Sequence, residues 1–185
     1  MYEIRWHGRG GQGGFTVARL LGMAASVFEG KYSLAFPSFG PERRGAPVLG
    51  FTRISETRIT DRSMVDHCDY VVVLDETLIG PAVLSGLKEN AVVLVNTCDP
   101  KPYRSMTDRK VVAFDATGLA MEILGRPITN TAMLGALLAV SDVVSLNSAQ
   151  EAIRNGMKAS IAEKNCVIVE RAYSLVKGAL NNGQA

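Results

Sequence analysis

Gly8, Gly10 and Gly13 stand at the spacing Gly-x-Gly-x-x-Gly within the run Gly8-Arg9-Gly10-Gly11-Gln12-Gly13-Gly14. Successive backbone N–H groups in such a loop, placed at the start of a helix, bind an anion with no side-chain chemistry. A dinucleotide is the first ligand to consider, and it requires an acidic residue at the end of the second strand, about 20 residues on, to hold the ribose. Here that strand ends in Leu34-Ala35-Phe36-Pro37, and the next charged residues are Glu42, Arg43 and Arg44. NAD is therefore disfavoured. The phosphate of another ligand remains, as does a pure turn-and-packing role for the glycines.

The second loop favours the phosphate. Loops at the carboxyl ends of neighbouring parallel strands converge on one crevice. Arg43 and Arg44 would then face a nest of backbone N–H groups and suit a multiply charged ligand. The competing reading puts these arginines in a subunit interface, where arginine is enriched.

Other candidate residues lead to less. His7 sits at a strand end and His67 lies between Asp66 and Cys68, with no second ligand at metal spacing. Asp75-Glu76 could chelate a metal, but acids also belong at helix starts. Asp115 reads the same way, and Asn130-Thr131 reads as a helix cap, although an Asn there can also face a ligand. Cys68, Cys98 and Cys166 show no CxxC spacing, and an odd count predicts reduced thiols in a cytoplasmic protein. No nucleophile–base set stands out, so a phosphate-type loop without catalytic residues reads as part of a larger enzyme.

The elements that must position these residues follow from periodicity. Residues 4–7 read as a strand stopping at Gly8, and residues 15–28 as a helix ended by Gly30. Residues 32–36 read as a second strand. Residues 48–54 are a third, turned back through 55–57 into 58–60 as an antiparallel hairpin. The apolar runs 70–74, 91–95 and 110–114 suit central strands covered on both faces. Helices are expected near 76–87, 117–124, 133–140, 145–157 and 161–180, with Pro81 near the start of the first. The expected fold is a single three-layer α/β/α domain over 1–185. Its sheet is mostly parallel and Rossmann-like, made mixed by the hairpin near 48–60, and residues 181–185 form a frayed tail.

Bulk composition sets limits. The 185 residues suffice for one core, with 47% apolar and 21% charged side chains. A net charge of +2 and no polybasic run give no nucleic-acid footprint. No apolar run approaches the ~18 residues of a membrane span, and the strand-like residues 2–6 are not a secretory leader.

Several ordered motifs together resemble one family. The run from Arg5 to Gly13 is similar to the opening of the gamma subunit of pyruvate and related 2-oxoacid:ferredoxin oxidoreductases. The run from Ala35 to Pro47 resembles its second signature, closer to the pyruvate and branched-chain branch. Residues 71–76 and the Asn130-Thr131-Ala132-Met133-Leu134-Gly135-Ala136 segment match in order.

The resemblance implies a reaction in which a 2-oxoacid, coenzyme A (CoA) and oxidised ferredoxin give acyl-CoA, carbon dioxide and reduced ferredoxin. It implies alpha-, beta- and delta-type partners that hold thiamine diphosphate and iron–sulfur clusters, with ferredoxin met indirectly. It places Gly8, Gly10, Gly11, Gln12, Gly13, Arg43 or Arg44, and Asn130 around the CoA phosphates. The alternatives are an assembly subunit without a CoA site and a stand-alone nucleotide-dependent dehydrogenase.

Overall fold

The computed structural model describes residues 1–38 and 45–182. β1 (Tyr2–Arg9), β2 (Tyr32–Pro37), β3 (Pro47–Ser55), β4 (Cys68–Val73), β5 (Leu87–Asn96) and β6 (Lys110–Phe114) form one sheet in the order β2-β3-β1-β4-β5-β6. The β1/β4, β4/β5 and β5/β6 pairs are parallel, while β3 runs antiparallel to both β1 and β2. The expected mixed, mostly parallel sheet is therefore present.

One face of the sheet carries α1 (Gly14–Phe28), α4 (Ala116–Leu124), α5 (Asn130–Ala139), α6 (Leu146–Gly156) and α7 (Ala159–Asn181). Their apolar stripes meet Ile4, Trp6, Ile54, Val72, Leu94 and Val112 in the main core. The opposite layer is thinner. A 3-10 turn (Glu76–Leu78), α2 (Pro81–Leu84), α3 (Lys101–Arg104) and the irregular 56–67 segment lie there, with Val71, Val73, Val93 and Val95 in a second cluster. The valine-rich strands are thus buried on both faces, as continuous apolar runs demand. α5 is buried along its whole length because it packs against α7, β4 and β5.

α1 is locked to the sheet by a polar relay. Trp6 Nε1 donates to Thr52 Oγ1 at 3.1 Å, and the same hydroxyl donates to the Ala18 carbonyl at 3.0 Å. All three residues are fully buried, so the relay satisfies groups that have no access to water.

Three local expectations need correction. β1 does not stop at Gly8 but runs through Arg9, because Gly8 pairs with Val48 and Arg9 with Pro47 on β3. Residues 58–60 form no strand. β3 already has β1 on one side and β2 on the other, so the hairpin joins β2 to β3 rather than closing at 58–60. The 56–67 segment instead wraps Arg53, whose side chain is only 2% exposed and whose guanidinium needs acceptors. Its Nη1 donates to the Asp61 and Ser63 carbonyls at 2.9 Å each, and its Nε pairs with Glu3 at 2.9 Å.

The helix expected over 76–87 is broken. Gly80 is fully extended between the 3-10 turn and α2, Pro81 opens α2, and β5 begins at Leu87. The other expected helices are present as α4 to α7. Asn181 closes α7 and Asn182 caps it, while residues 183–185 of the expected tail lie outside the described residues.

Candidate functional site

The junction of β1 and α1 builds the site. β1 delivers the chain to Arg9, the glycine loop turns it, and Gly13 opens α1. Gly11 and Gly13 have φ of 97° and 76°, values that a side chain would strain. α1 has neither a side-chain cap nor an acidic residue in its first turn. Its leading N–H groups and positive dipole end are thus left for an anion. A cavity of about 320 Å³ lies here, lined by Gly8, Gly10, Gly11, Gly13, the start of α1 through Thr16, Arg9 and Val48.

Side chains brace the loop from behind. Gln12 Oε1 accepts the Arg9 backbone N–H at 2.7 Å, and its Nε2 donates to Asp75 Oδ2 at 3.2 Å. Gln12 is therefore not among the residues lining the cavity. Arg9 Nε pairs with Asp75 Oδ2 at 2.9 Å, Nη2 donates to Thr77 Oγ1 at 2.7 Å, and Nη1 donates to the Gly45 carbonyl at 3.0 Å. Burial raises the Asp75 pKa, but hydrogen bonds from Thr77, Gln12 and Arg9 outweigh it and hold the carboxyl below its ordinary value. The brace stays ionic, and the carboxylate charge is taken up by Arg9.

Asn130 is the third support. It does not cap α5 as expected, since the cap position is Thr129, but is the first residue of that helix, 5% exposed, and its Nδ2 donates to the Gly13 carbonyl at 3.3 Å. Its Oδ1 accepts the Thr131 N–H at 2.9 Å. Asn130 thus ties the start of α5 to the start of α1. A Cβ on Gly13 would stand 2.4 Å from Asn130 Nδ2, so the two positions are sterically matched.

Arg43 and Arg44 lie outside the described residues, but both ends of their loop are placed. The Ser38 N–H donates to the Leu49 carbonyl at 2.9 Å. The Gly10 N–H donates to the Ala46 carbonyl at 2.9 Å, and the Gly45 N–H donates to the Gly10 carbonyl at 3.2 Å. The two loops meet because β3 runs back alongside β1. β2 itself is not a neighbour of β1, since β3 lies between them.

The remaining candidates fall elsewhere. His7 is inside β1, buried, and pushed down to about 3 by desolvation and by Arg5. Its Nε2 has no partner among the described residues. His67 is exposed on the 56–67 segment. Asp75 does cap the 3-10 turn, accepting from the Thr77 N–H, and Asp115 caps α4, accepting the Gly118 N–H at 2.7 Å.

Burial raises the Cys68 and Cys166 thiols, and a hydrogen bond to Asp115 raises Cys98, so none is an activated thiolate. Among the described residues no three His, Cys, Asp or Glu side chains gather to hold a metal ion. Sequence reading missed the Arg9–Asp75 brace. Its only sequence signal is an acid closing the apolar run that follows β1 in the parallel sheet.

Comparison with known proteins gives this geometry a family. Residues 3–175 match the family model described as pyruvate ferredoxin/flavodoxin oxidoreductase. The pyruvate synthase subunit PorC of Methanothermobacter marburgensis is 50% identical over 178 residues, covering 96% of this chain and 98% of the relative. The pyruvate/ketoisovalerate oxidoreductases common subunit gamma of Thermococcus kodakarensis is 46% identical over 181 residues, covering 94% and 96%. The crystal structure of the pyruvate oxidoreductase subunit PORC of Thermotoga maritima superposes with a TM-score of 0.82 at 39% identity, covering 94% of this chain and 95% of that one. The motifs singled out in the sequence and the mixed six-stranded sheet thus converge, and the chain belongs to the pyruvate ferredoxin/flavodoxin oxidoreductase family as a gamma-type enzyme subunit.

Proposed function

We propose that this chain supplies the phosphate-binding part of the CoA site in a 2-oxoacid:ferredoxin oxidoreductase acting on pyruvate or a branched-chain 2-oxoacid. The complex works in the cytoplasm and includes alpha-, beta- and delta-type subunits. Thiamine diphosphate and iron–sulfur clusters in those partners supply decarboxylation and electron transfer to ferredoxin. This chain contributes binding and assembly and is inactive alone.

The observation that carries the reading is the uncapped start of α1, opening on a cavity of about 320 Å³ beside the Gly10–Gly45 contact. Backbone N–H groups of the glycine loop and α1 meet the diphosphate of CoA. Arg44, the chain neighbour of Gly45, or Arg43 adds a charge-assisted contact. Gly8, Gly10, Gly11 and Gly13 shape the loop, Gln12 braces it, and Asn130 fixes it against α5.

The test is steady-state kinetics of the reconstituted complex. Arg44→Ala raises the KM for CoA about tenfold to hundredfold, the loss of one charge-assisted contact. Arg44→Lys recovers only part of it, because the planar fork is lost. The 2-oxoacid KM hardly moves. An assembled Arg44→Ala complex with unaltered CoA kinetics and a raised oxoacid KM refutes the CoA role. A variant that no longer assembles assigns these arginines to an interface.

A further inference from the structure

α4 packs against α7, and the two run in opposite directions. Glu122 of α4 meets Arg171 of α7, while Leu124 and Ile128, later in the chain, share a hollow with Ile161 and Lys164, earlier on α7. A groove therefore runs between them on the outside of the helical layer. Five of the twelve large apolar side chains left exposed among the described residues stand along it: Met121, Ile128, Ile161, Val167 and Leu175, all between 44% and 52% exposed. Single exposed apolar residues need no explanation, but a run of them on one side marks a contact surface.

The run has helical order. Ile161, Lys164, Arg171 and Leu175 share one face of α7, and Val167 stands beside them. From Ile161 to Leu175 the groove is about 21 Å long at 1.5 Å per residue.

Its charge is one-sided. Arg126, Lys158 and Lys164 surround the Ile128 end, and no Asp or Glu lines the hollow there. Among the described residues none of these three cations has an ion-pair partner. The nearby acids are turned away or taken up. Glu163 pairs with Arg154 and Glu170 accepts from Gln150, both on α6, while Glu122 is held by Arg171 at 2.6 Å. Like charges gathered without a counter-charge repel one another, and a partner of opposite sign relieves that repulsion.

We infer that this groove receives an amphipathic helix of a partner subunit, about four turns long, with an acidic flank. Its aliphatic side chains lie against Ile161, Val167, Leu175 and Met121, and its Asp or Glu side chains meet Arg126, Lys158 and Lys164. The inference rests on the chain working as a subunit of a complex and not on the CoA reading. Apolar side chains sunk to about half their area along a narrow groove admit a rod rather than a flat lipid surface.

The experiment places a photo-crosslinking amino acid at position 167 of the reconstituted complex and identifies the adduct by mass spectrometry. The expected adduct is a partner-subunit segment with aliphatic residues at helical spacing and Asp or Glu beside them. In parallel, Lys158→Glu/Lys164→Glu is compared with the wild type for binding to the remaining subunits. Both lysines are exposed and unpaired among the described residues, so the variant keeps its fold, which circular dichroism checks. Its association is expected to be about tenfold weaker at low salt, with the difference shrinking as salt rises. Lys158→Arg/Lys164→Arg binds like the wild type.

An adduct with a second copy of this chain, with a partner segment free of acids, or with no protein at all overturns the inference. So does a charge-reversed variant that binds as tightly as the wild type. A charge-reversed chain that does not fold leaves the decision to the adduct formed by the wild-type lysines. Neither arm reads the KM for CoA, so its failure leaves the CoA reading standing.

Discussion

The Asp75 carboxylate sits 2.9 Å from Arg9 Nε and accepts from Gln12 as well, so one acid two residues past the end of β4 holds the glycine loop that follows β1. The same arginine reaches the Gly45 carbonyl. One side chain therefore fastens both loops of the site while its charge is spent on Asp75.

Replacing that acid should loosen the loop without unfolding the domain. Asp75→Asn keeps the shape but removes the charge that holds Arg9, at a cost of about 1–2 kcal/mol, held down because Arg9 is still partly open to solvent. The stability it adds is fully present above the ordinary carboxyl value of 3.8 and is lost as pH falls through the lower folded value. Urea denaturation at pH 7 measures the cost, and amide exchange of residues 9–13 should speed up in the variant. An unchanged exchange pattern would mean that the loop holds itself.

Gly13 and Asn130 should behave as one unit. Gly13→Ala meets both a φ of 76° and an Nδ2 atom 2.4 Å away, and is expected to cost about 2–4 kcal/mol. Asn130→Ala costs about 1 kcal/mol, since the Gly13 carbonyl keeps its bond from the Val17 N–H. The double variant should be destabilised by clearly less than the sum, because the clash disappears while the backbone strain remains. Strict additivity in a double-mutant cycle would contradict the contact.

His7 predicts an acid sensitivity well above the usual carboxylate range. Its folded pKa of about 3 lies below the ordinary 6.5, so the unfolded chain takes up a proton that the folded chain refuses. Stability is whole above pH 6.5 and falls by up to about 1.4 kcal/mol per pH unit as pH drops from there towards the folded value. His7→Leu should flatten this slope between pH 6.5 and pH 4.5, and it removes a buried Nε2 that has no partner among the described residues. An unchanged slope would place the proton uptake elsewhere.

The relay from Trp6 through Thr52 to Ala18 is open to a shape-preserving test. Thr52→Val leaves the indole N–H buried and unpaired, at a cost of about 1–3 kcal/mol. Trp6 is the single tryptophan of the chain, so its fluorescence reports the change directly. A variant as stable as the wild type would show that the indole finds another acceptor.

The sequence by itself determined the layered α/β class, the glycine loop between a strand and a helix, and the family. Glycine spacing, period-3.6 stripes and valine runs are local signals, and each survives in the fold because the core rewards what local propensity already prefers. Asn130 was legible as a helix-start residue but not as the partner of Gly13, because a contact between positions 117 apart leaves no periodicity.

What the tertiary structure alone decided is how the chain returns to the sheet. β3 inserts beside β1, and that pairing prolongs β1 through Gly8 and Arg9 and sets Gly45 against Gly10. Strand order depends on which edges are free and which buried charges need acceptors, as Arg53 needs the 56–67 segment. Those are properties of the assembled sheet, and no window of neighbouring residues contains them.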